Sequence, residues 1–274
     1  AAHPVGPVTL LFLRMMLALP FFLVMAWWLR NATPRLTARD WAGVVGLGFI
    51  GYYLASFFDF LGLVHVGAGI GRLIQFLYPT LVLLLSFLFL KKRPTPRELA
   101  ALALSYLGIA LVVSQQLDAT RAGRAFLFGA LLIFGSALCY SIYLVAGSQL
   151  VQRIGSMRFT AYTMVVATAP AVLQFLLLEP LAALDLPGAV WGYAIVMATF
   201  STVLPVFLVA EALRRIGANH FALIGAVGPV SVAITSALGL DEPFTWLQAD
   251  GGLLVIGGVL LVSLRPAAAN ARAR

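Results

Sequence analysis

Arg14 within 8–28, Asp59 within 41–63 and Arg72 within 68–90 are ionisable residues inside long apolar runs. A charge in hydrocarbon is costly and persists where it is paired or handles a polar solute. Asp59 and Arg72 flank the short connection at His65, which puts them at similar depth on adjacent helices. Asp59 is therefore expected within ion-pair reach of Arg72 or Arg14. The group reads as a structural ion pair, as an outer gate or as a binding site for a carboxylate group. A second set is uncharged. Tyr52, Tyr53, Ser56, Gln75, Tyr78, Ser136, Tyr140, Ser201 and Thr202 fall near the middle of their runs, with Pro79 and Pro229. Tyrosine joins an apolar face to a hydrogen-bonding tip, which suits an amphipathic guest such as an amino acid. Any one hydroxyl is also accounted for as an interhelical contact; as a set they read as a substrate-cavity lining. None of this is catalytic chemistry. There is no Ser–His arrangement, no paired Asp and no ligand-spaced Cys or His cluster, and Cys139 stands alone. No metal, cofactor or enzymatic activity is expected.

The solvent for these groups follows from composition. Of the 274 residues, 62% are hydrophobic and 10% charged, and mean hydropathy is +0.99. Soluble domains carry charge on about a quarter of their residues, so this chain is an integral membrane protein. Apolar runs of spanning length lie at 8–28, 41–63, 68–90, 95–113, 124–149, 156–178, 188–213, 218–240 and 245–264, nine in all. The breaks between them are short and carry Pro, Gly, Asp or basic clusters.

The chain repeats itself. Gly67, Ala68, Leu73, Ile74, Pro79, Val82, Ser86 and Thr95 recur 150 residues later as Gly217, Ala218, Leu223, Ile224, Pro229, Val232, Ser236 and Thr245. The same ungapped offset carries Pro20 to Pro170, Trp41 to Trp191 and Gly108 to Gly258. Such register is the mark of an internal duplication, and it divides the chain into repeats at 1–120 and 121–274. Applied backwards, the offset leaves the 124–149 helix without a counterpart. Five helices per repeat and ten in all are expected, the first being absent from this sequence.

Loops alternate sides of the membrane. On one side fall Arg30, Arg35, Arg39, Lys91, Lys92, Arg93, Arg97, Arg153, Arg158, Arg214, Arg215, Arg265, Arg272 and Arg274; Arg121 and Arg124 fall on the other. Fourteen against two makes the first side cytoplasmic, together with the C-terminus. The net charge of +8 is thereby topological, and no nucleic-acid partner is implied. An odd number of helices per repeat inverts the second repeat, an architecture of secondary transporters whose site lies near the midplane. There Pro79 and Pro229 are expected as mid-helix kinks that free the carbonyls of Gln75 and Gly225. Glu211 lies near Arg214 and Arg215, as an interfacial partner rather than a coupling site, and His220 is near the same end.

The runs Ala210-Glu211-Ala212-Leu213, Ile216-Gly217-Ala218, Gly228-Pro229-Val230, Leu240-Asp241-Glu242 and Gly251-Gly252 to Gly257-Gly258, with Arg14 in Leu11-Phe12-Leu13-Arg14, resemble EamA-type members of the drug/metabolite transporter superfamily. The resemblance spans essentially the whole chain and is nearest to YddG-type exporters of aromatic and other amino acids. It implies an all-α, ten-helix inverted-repeat carrier of the bacterial inner membrane, set within the lipid bilayer; apart from the resemblance, a monomer is the favoured state. It further implies export of small-molecule substrates, above all amino acids, by alternating access. One departure is visible: Lys91-Lys92 stand where that family has an acidic residue at the end of its fourth helix. Exchange of sugar phosphates or nucleotide sugars is the rival within the superfamily and calls for several cavity-facing Lys or Arg. An intramembrane enzyme or a scaffold is the rival outside it. With hydroxyls and amides at the midplane, transport is expected to be facilitated rather than proton-driven.

Overall fold

A computed structural model describes residues 5–66, 68–113, 123–228, 231 and 246–263. Every extended segment among them is helical. In order these are α1 (Pro7–Trp28), α2 (Ala38–Gly48), a π turn (Phe49–Leu54), α3 (Ala55–Val66), α4 (Ala68–Gln75), α5 (Tyr78–Leu90), α6 (Pro96–Val113), α7 (Arg124–Ile154) and α8 (Ser156–Leu178). There follow a short 3-10 turn (Leu181–Leu184), α9 (Gly188–Ala198), a second π turn (Thr199–Val203), α10 (Leu204–Ile224), a 3-10 turn (Gly225–Val227) and α11 (Trp246–Ser263). In hydrocarbon only a helix or a closed barrel satisfies its own backbone. Five continuous helical stretches are long and apolar enough to cross a membrane: Pro7–Trp28, Ala38–Val66, Arg124–Ile154, Ser156–Leu178 and Gly188–Ile224. Large side chains such as Trp28, Leu177 and Phe200 are exposed, as a lipid-facing surface requires.

Polar signals set the helix ends. The Thr37 hydroxyl accepts from the Asp40 amide at 3.3 Å while the Asp40 carboxylate accepts from Thr37 N at 2.8 Å, a capping box that starts α2. Thr95 and Glu98 repeat the device at the start of α6. Between α7 and α8 the chain turns at Gly155, whose φ of +86° suits a residue without a Cβ. Gly217, at φ +74°, interrupts α10 in the same way, separating 204–216 from 218–224.

The inversion is legible in the packing of matched helices. A methyl added to Gly108 on α6 would strike the carbonyl oxygen of Gly251, and one on Gly258 would lie 2.9 Å from the carbonyl oxygen of Ala101. Residue 101 therefore faces 258 while 108 faces 251, so α6 and α11 run antiparallel about a centre near Ser105 and Val255. Repeat partners α1 and α8 are related likewise: Gly6 is near Glu179, and Phe12 stacks on Phe175 with centroids 4.2 Å apart.

The irregularities repeat as well. The two π turns begin 150 residues apart, at Phe49 and Thr199. The run expected as one helix over 68–90 is broken at Phe76 and Leu77, and the corresponding 3-10 turn occupies Gly225–Val227. This corrects the expectation of a mid-helix kink at Pro79. The helix ends at Gln75, and Pro79 sits in the first turn of α5, where no amide donor is needed. Pro229 lies outside the described residues.

Candidate functional site

Each π turn carries a buried polar side chain into the bundle: Tyr52 in the first, 7% exposed, and Thr202 in the second, fully buried. The extra residue of a π turn widens the helix and re-aims side chains. Tyr52 thereby meets α7, where the Tyr143 hydroxyl donates to the Tyr52 hydroxyl at 3.3 Å and the rings meet edge to face, 4.9 Å between centroids. Tyr140, one turn earlier on α7, stacks on Tyr143 at 6.2 Å and abuts Tyr78 at 5.6 Å. Tyr78 reaches across to the second repeat, donating to the carbonyl of Ala222 at 3.1 Å, while the Ser141 hydroxyl donates to the carbonyl of Tyr78 at 3.2 Å. Four tyrosines from three elements thus form one continuous wall ending on α10.

The wall fits because the second repeat is hollow opposite it. A Cβ at Gly225 would collide with the Tyr78 hydroxyl, and one at Gly228 would lie 3.2 Å from the Phe76 ring. The broken helix of one repeat fills glycine gaps in the broken helix of the other.

Beside Tyr52 sits the charged group. Arg72 Nη1 lies 3.7 Å from Asp59 Oδ2, so the expected pair forms. The Arg14 guanidinium packs over the Phe60 ring, 5.6 Å from its centroid, and has Tyr52, Asp59 and Arg72 as its electrostatic neighbours. Two buried polar atoms of this group lack a hydrogen-bond partner, Arg14 Nε and Asp59 Oδ1, as do Gln75 Oε1 and Thr202 Oγ1 elsewhere in the bundle. Such an atom in an apolar interior costs on the order of several kcal/mol until a solute, water or side chain meets it. These groups have unfilled hydrogen-bonding capacity. Among the described residues, no cluster of three or more His, Cys, Asp or Glu side chains is arranged to hold a metal ion.

At the opposite end of the bundle the basic segments gather. Arg153 pairs with Asp40 at 3.1 Å and donates to Thr37, and Arg158 donates to the carbonyl of Pro34 at 2.8 Å. Glu211 is held by Arg214 at 2.5 Å, Arg215 at 2.7 Å and the Ser156 hydroxyl at 2.7 Å. That is the interfacial role read from its position. A cavity of about 320 Å³ opens at this end, lined by Ser86, Lys92, Arg93, Glu98, Asn219 and His220 among others.

Comparison with known proteins places this geometry in context. The EamA-like transporter family matches residues 1–114 and, separately, 127–264. This chain belongs to the EamA-like transporter family. Among its relatives is the transporter YcbK of Bacillus subtilis (strain 168), 30% identical over 262 residues that cover 93% of this chain and 82% of YcbK. The threonine/homoserine exporter RhtA of Escherichia coli (strain K12) is 27% identical over 243 residues, 87% of this chain and 73% of RhtA. A solved crystal structure superposes with a TM-score of 0.75 at 19% identity, covering 96% of this chain and 90% of its own, which is a likeness of fold. The protein is a multi-pass membrane transporter and not an enzyme.

On this EamA-like scaffold the residues anticipated from sequence divide. Tyr52, Tyr78 and Tyr140 join one wall, Pro79 is buried beside Tyr78, and Arg14, Asp59 and Arg72 form one group. Ser136 is buried on α7, and Ser56 and Gln75 are half-buried. Tyr53 points elsewhere: it stacks with Phe57 and, with Phe49, Pro170 and Gln174, lines a separate groove between α2–α3 and α8. Ser201 is exposed, although its neighbour Thr202 is buried, because consecutive residues of a helical turn point in different directions. Sequence reasoning does not single out Tyr143, yet its spacing of three from Tyr140 puts the two on one helix face. Nor does it find the link from the Ser86 hydroxyl to Asn219 at 2.7 Å, and from Asn219 to Glu98 at 3.3 Å. The sequence signal for that link is the Thr95–Glu98 capping box, which fixes the carboxylate at the start of α6.

Proposed function

We propose that this transporter exports small amphipathic metabolites, chiefly aromatic and other amino acids, across the inner membrane by alternating access. The observation that carries the reading is the tyrosine wall, which starts at the Arg14–Asp59–Arg72 group and ends where Tyr78 meets the carbonyl of Ala222 at 3.1 Å. It presents apolar faces, hydroxyl tips and charged groups in sequence, the profile of an amino acid with a large side chain. Discontinuous helices at matched positions of two inverted repeats support a site between the repeats. The relative named as a threonine/homoserine exporter supports the substrate class. The basic end is the cytoplasmic face by the positive-inside rule, and cytoplasmic entry is through the cavity beside Asn219. The carrier works as a monomer, with residues 1–120 and 121–274 as its two repeats.

Transport proceeds down the substrate's own gradient. Glu211 is committed to two arginines and Ser156, and the tyrosine wall carries hydroxyls rather than carboxylates. Counterflow in proteoliposomes with a panel of amino acids tests the reading: several should exchange with no imposed pH gradient. Strict dependence on a proton gradient, abolished by Asp59→Asn or Glu211→Gln, would replace uniport by proton coupling. Exchange restricted to phosphorylated sugars would replace the substrate class.

A further inference from the structure

Resting on that amino-acid reading, we infer that Arg14 and Asp59 form a receptor for the zwitterionic head group: Arg14 takes the α-carboxylate and Asp59 the α-ammonium, while Arg72 holds Asp59 in place. Two buried atoms of opposite demand carry this. Arg14 Nε is a donor without an acceptor, and among the described residues no carboxylate lies within 4.0 Å of its guanidinium. Its support is the face of Phe60. Asp59 Oδ1 is an acceptor without a donor, while Oδ2 of the same carboxylate faces Arg72. A purely structural cluster would close by joining Arg14 to Oδ1, and that bond is not made.

Charge selects the ligand. Two guanidinium groups and one carboxylate leave one positive charge uncompensated. A zwitterion gives Arg14 an anion and Asp59 Oδ1 a donor at once. A simple amine would satisfy Asp59 and leave Arg14 unmatched. A phosphate ester would satisfy the cations and press its charge against Asp59. Arg72, whose side chain is half exposed, stands on the open side of the group, where its hold on Oδ2 leaves Oδ1 free. Position completes the fit: Tyr52 adjoins Arg14 and leads through Tyr143 to Tyr140.

The test uses the full-length protein in proteoliposomes with labelled L-phenylalanine in counterflow. Its competitors are 3-phenylpropionate, which lacks the ammonium, and phenethylamine, which lacks the carboxylate. Each analogue forgoes one buried charge-assisted hydrogen bond, so each should compete about tenfold to a hundredfold less well than unlabelled phenylalanine. Arg14→Gln should raise the half-saturating phenylalanine concentration at least about tenfold and narrow its advantage over phenethylamine, with Arg14→Lys recovering part of the loss. Asp59→Asn should narrow the advantage over 3-phenylpropionate instead. If both analogues compete as well as phenylalanine on the unsubstituted protein, or if Arg14→Gln keeps full discrimination, the assignment is wrong while amino-acid transport stands. The analogue comparison decides even where a substituted protein does not fold. Should another amino acid be carried in place of phenylalanine, its own decarboxylated and deaminated analogues take their place. If no amino acid exchanges and another solute does, the amino-acid reading fails and this assignment falls with it.

Discussion

The two repeats line the same helix with side chains of different size. Along α2 and α3 the face toward α7 is made of small residues: Gly43 against Leu150, Gly51 against the Tyr143 ring, and Gly62 against Ile133 and the carbonyl of Gly129. The equivalent positions on α9 and α10 are Tyr193, Ser201 and Ala212, with Leu208 standing where Phe58 covers Gly135. Glycines admit the backbone of α7 to close range in one repeat, whereas bulk on the other would hold any neighbour further off. The difference teaches that the duplication conserved backbone irregularities more strictly than surfaces. Both π turns and both helix breaks survived, while the tyrosine wall is built from both repeats, Tyr52 and Tyr78 from the first and Tyr140 and Tyr143 from the second.

The sharpest test of this contrast substitutes the matched pair Gly51 and Ser201. Leucine at Gly51 would drive into the buried Tyr143 ring, and overpacking of this kind costs about 3 kcal/mol. Leucine at exposed Ser201 should stay within about 0.5 kcal/mol. Thermal unfolding in detergent should show a large drop in Tm for Gly51→Leu and almost none for Ser201→Leu; equal drops would mean that the two faces are covered alike.

At the pseudo-twofold centre the repeats should instead behave equally. Gly108→Ala and Gly258→Ala each push a methyl toward a facing backbone carbonyl, of Gly251 and Ala101 respectively, and neither backbone yields as a side-chain tip does. Each substitution should cost about 1–3 kcal/mol, with similar loss of Tm. A marked inequality would show that α6 and α11 are not symmetrically apposed.

The smallest effect on stability is expected at one of the hydrogen bonds by which the repeats meet. Tyr78→Phe removes the bond to the carbonyl of Ala222 and keeps the ring against Tyr140, so it should cost about 1 kcal/mol. Its effect should fall on transport, as a several-fold change in exchange rate, because the bond links the broken helices of opposite repeats. An unchanged rate would assign Tyr78 to packing alone.

Much of this protein is written in its sequence because the membrane enforces a simple code. Continuous apolar runs of about 20 residues have one soluble alternative at most, burial in a larger core, and the scarcity of charge excludes it. Spans, repeat register and the collection of basic loops at one end all follow from that constraint. So does the Asp59–Arg72 pair, since two charges at similar depth on adjacent helices lower their shared cost by meeting. Backbone irregularity was not legible. Phe49–Leu54 and Thr199–Val203 contain no residue that compels a π turn, and the break at Phe76 and Leu77 precedes the proline expected to cause a kink. Those features arise where helices must pass one another, so their cause lies in the partner helix. The same reason separates Tyr52 from Tyr53 and Thr202 from Ser201. Sequence placed each pair at one depth, and only packing, of the first π turn against α7 and α8 and of the second against α1, decided which side chain turned inward.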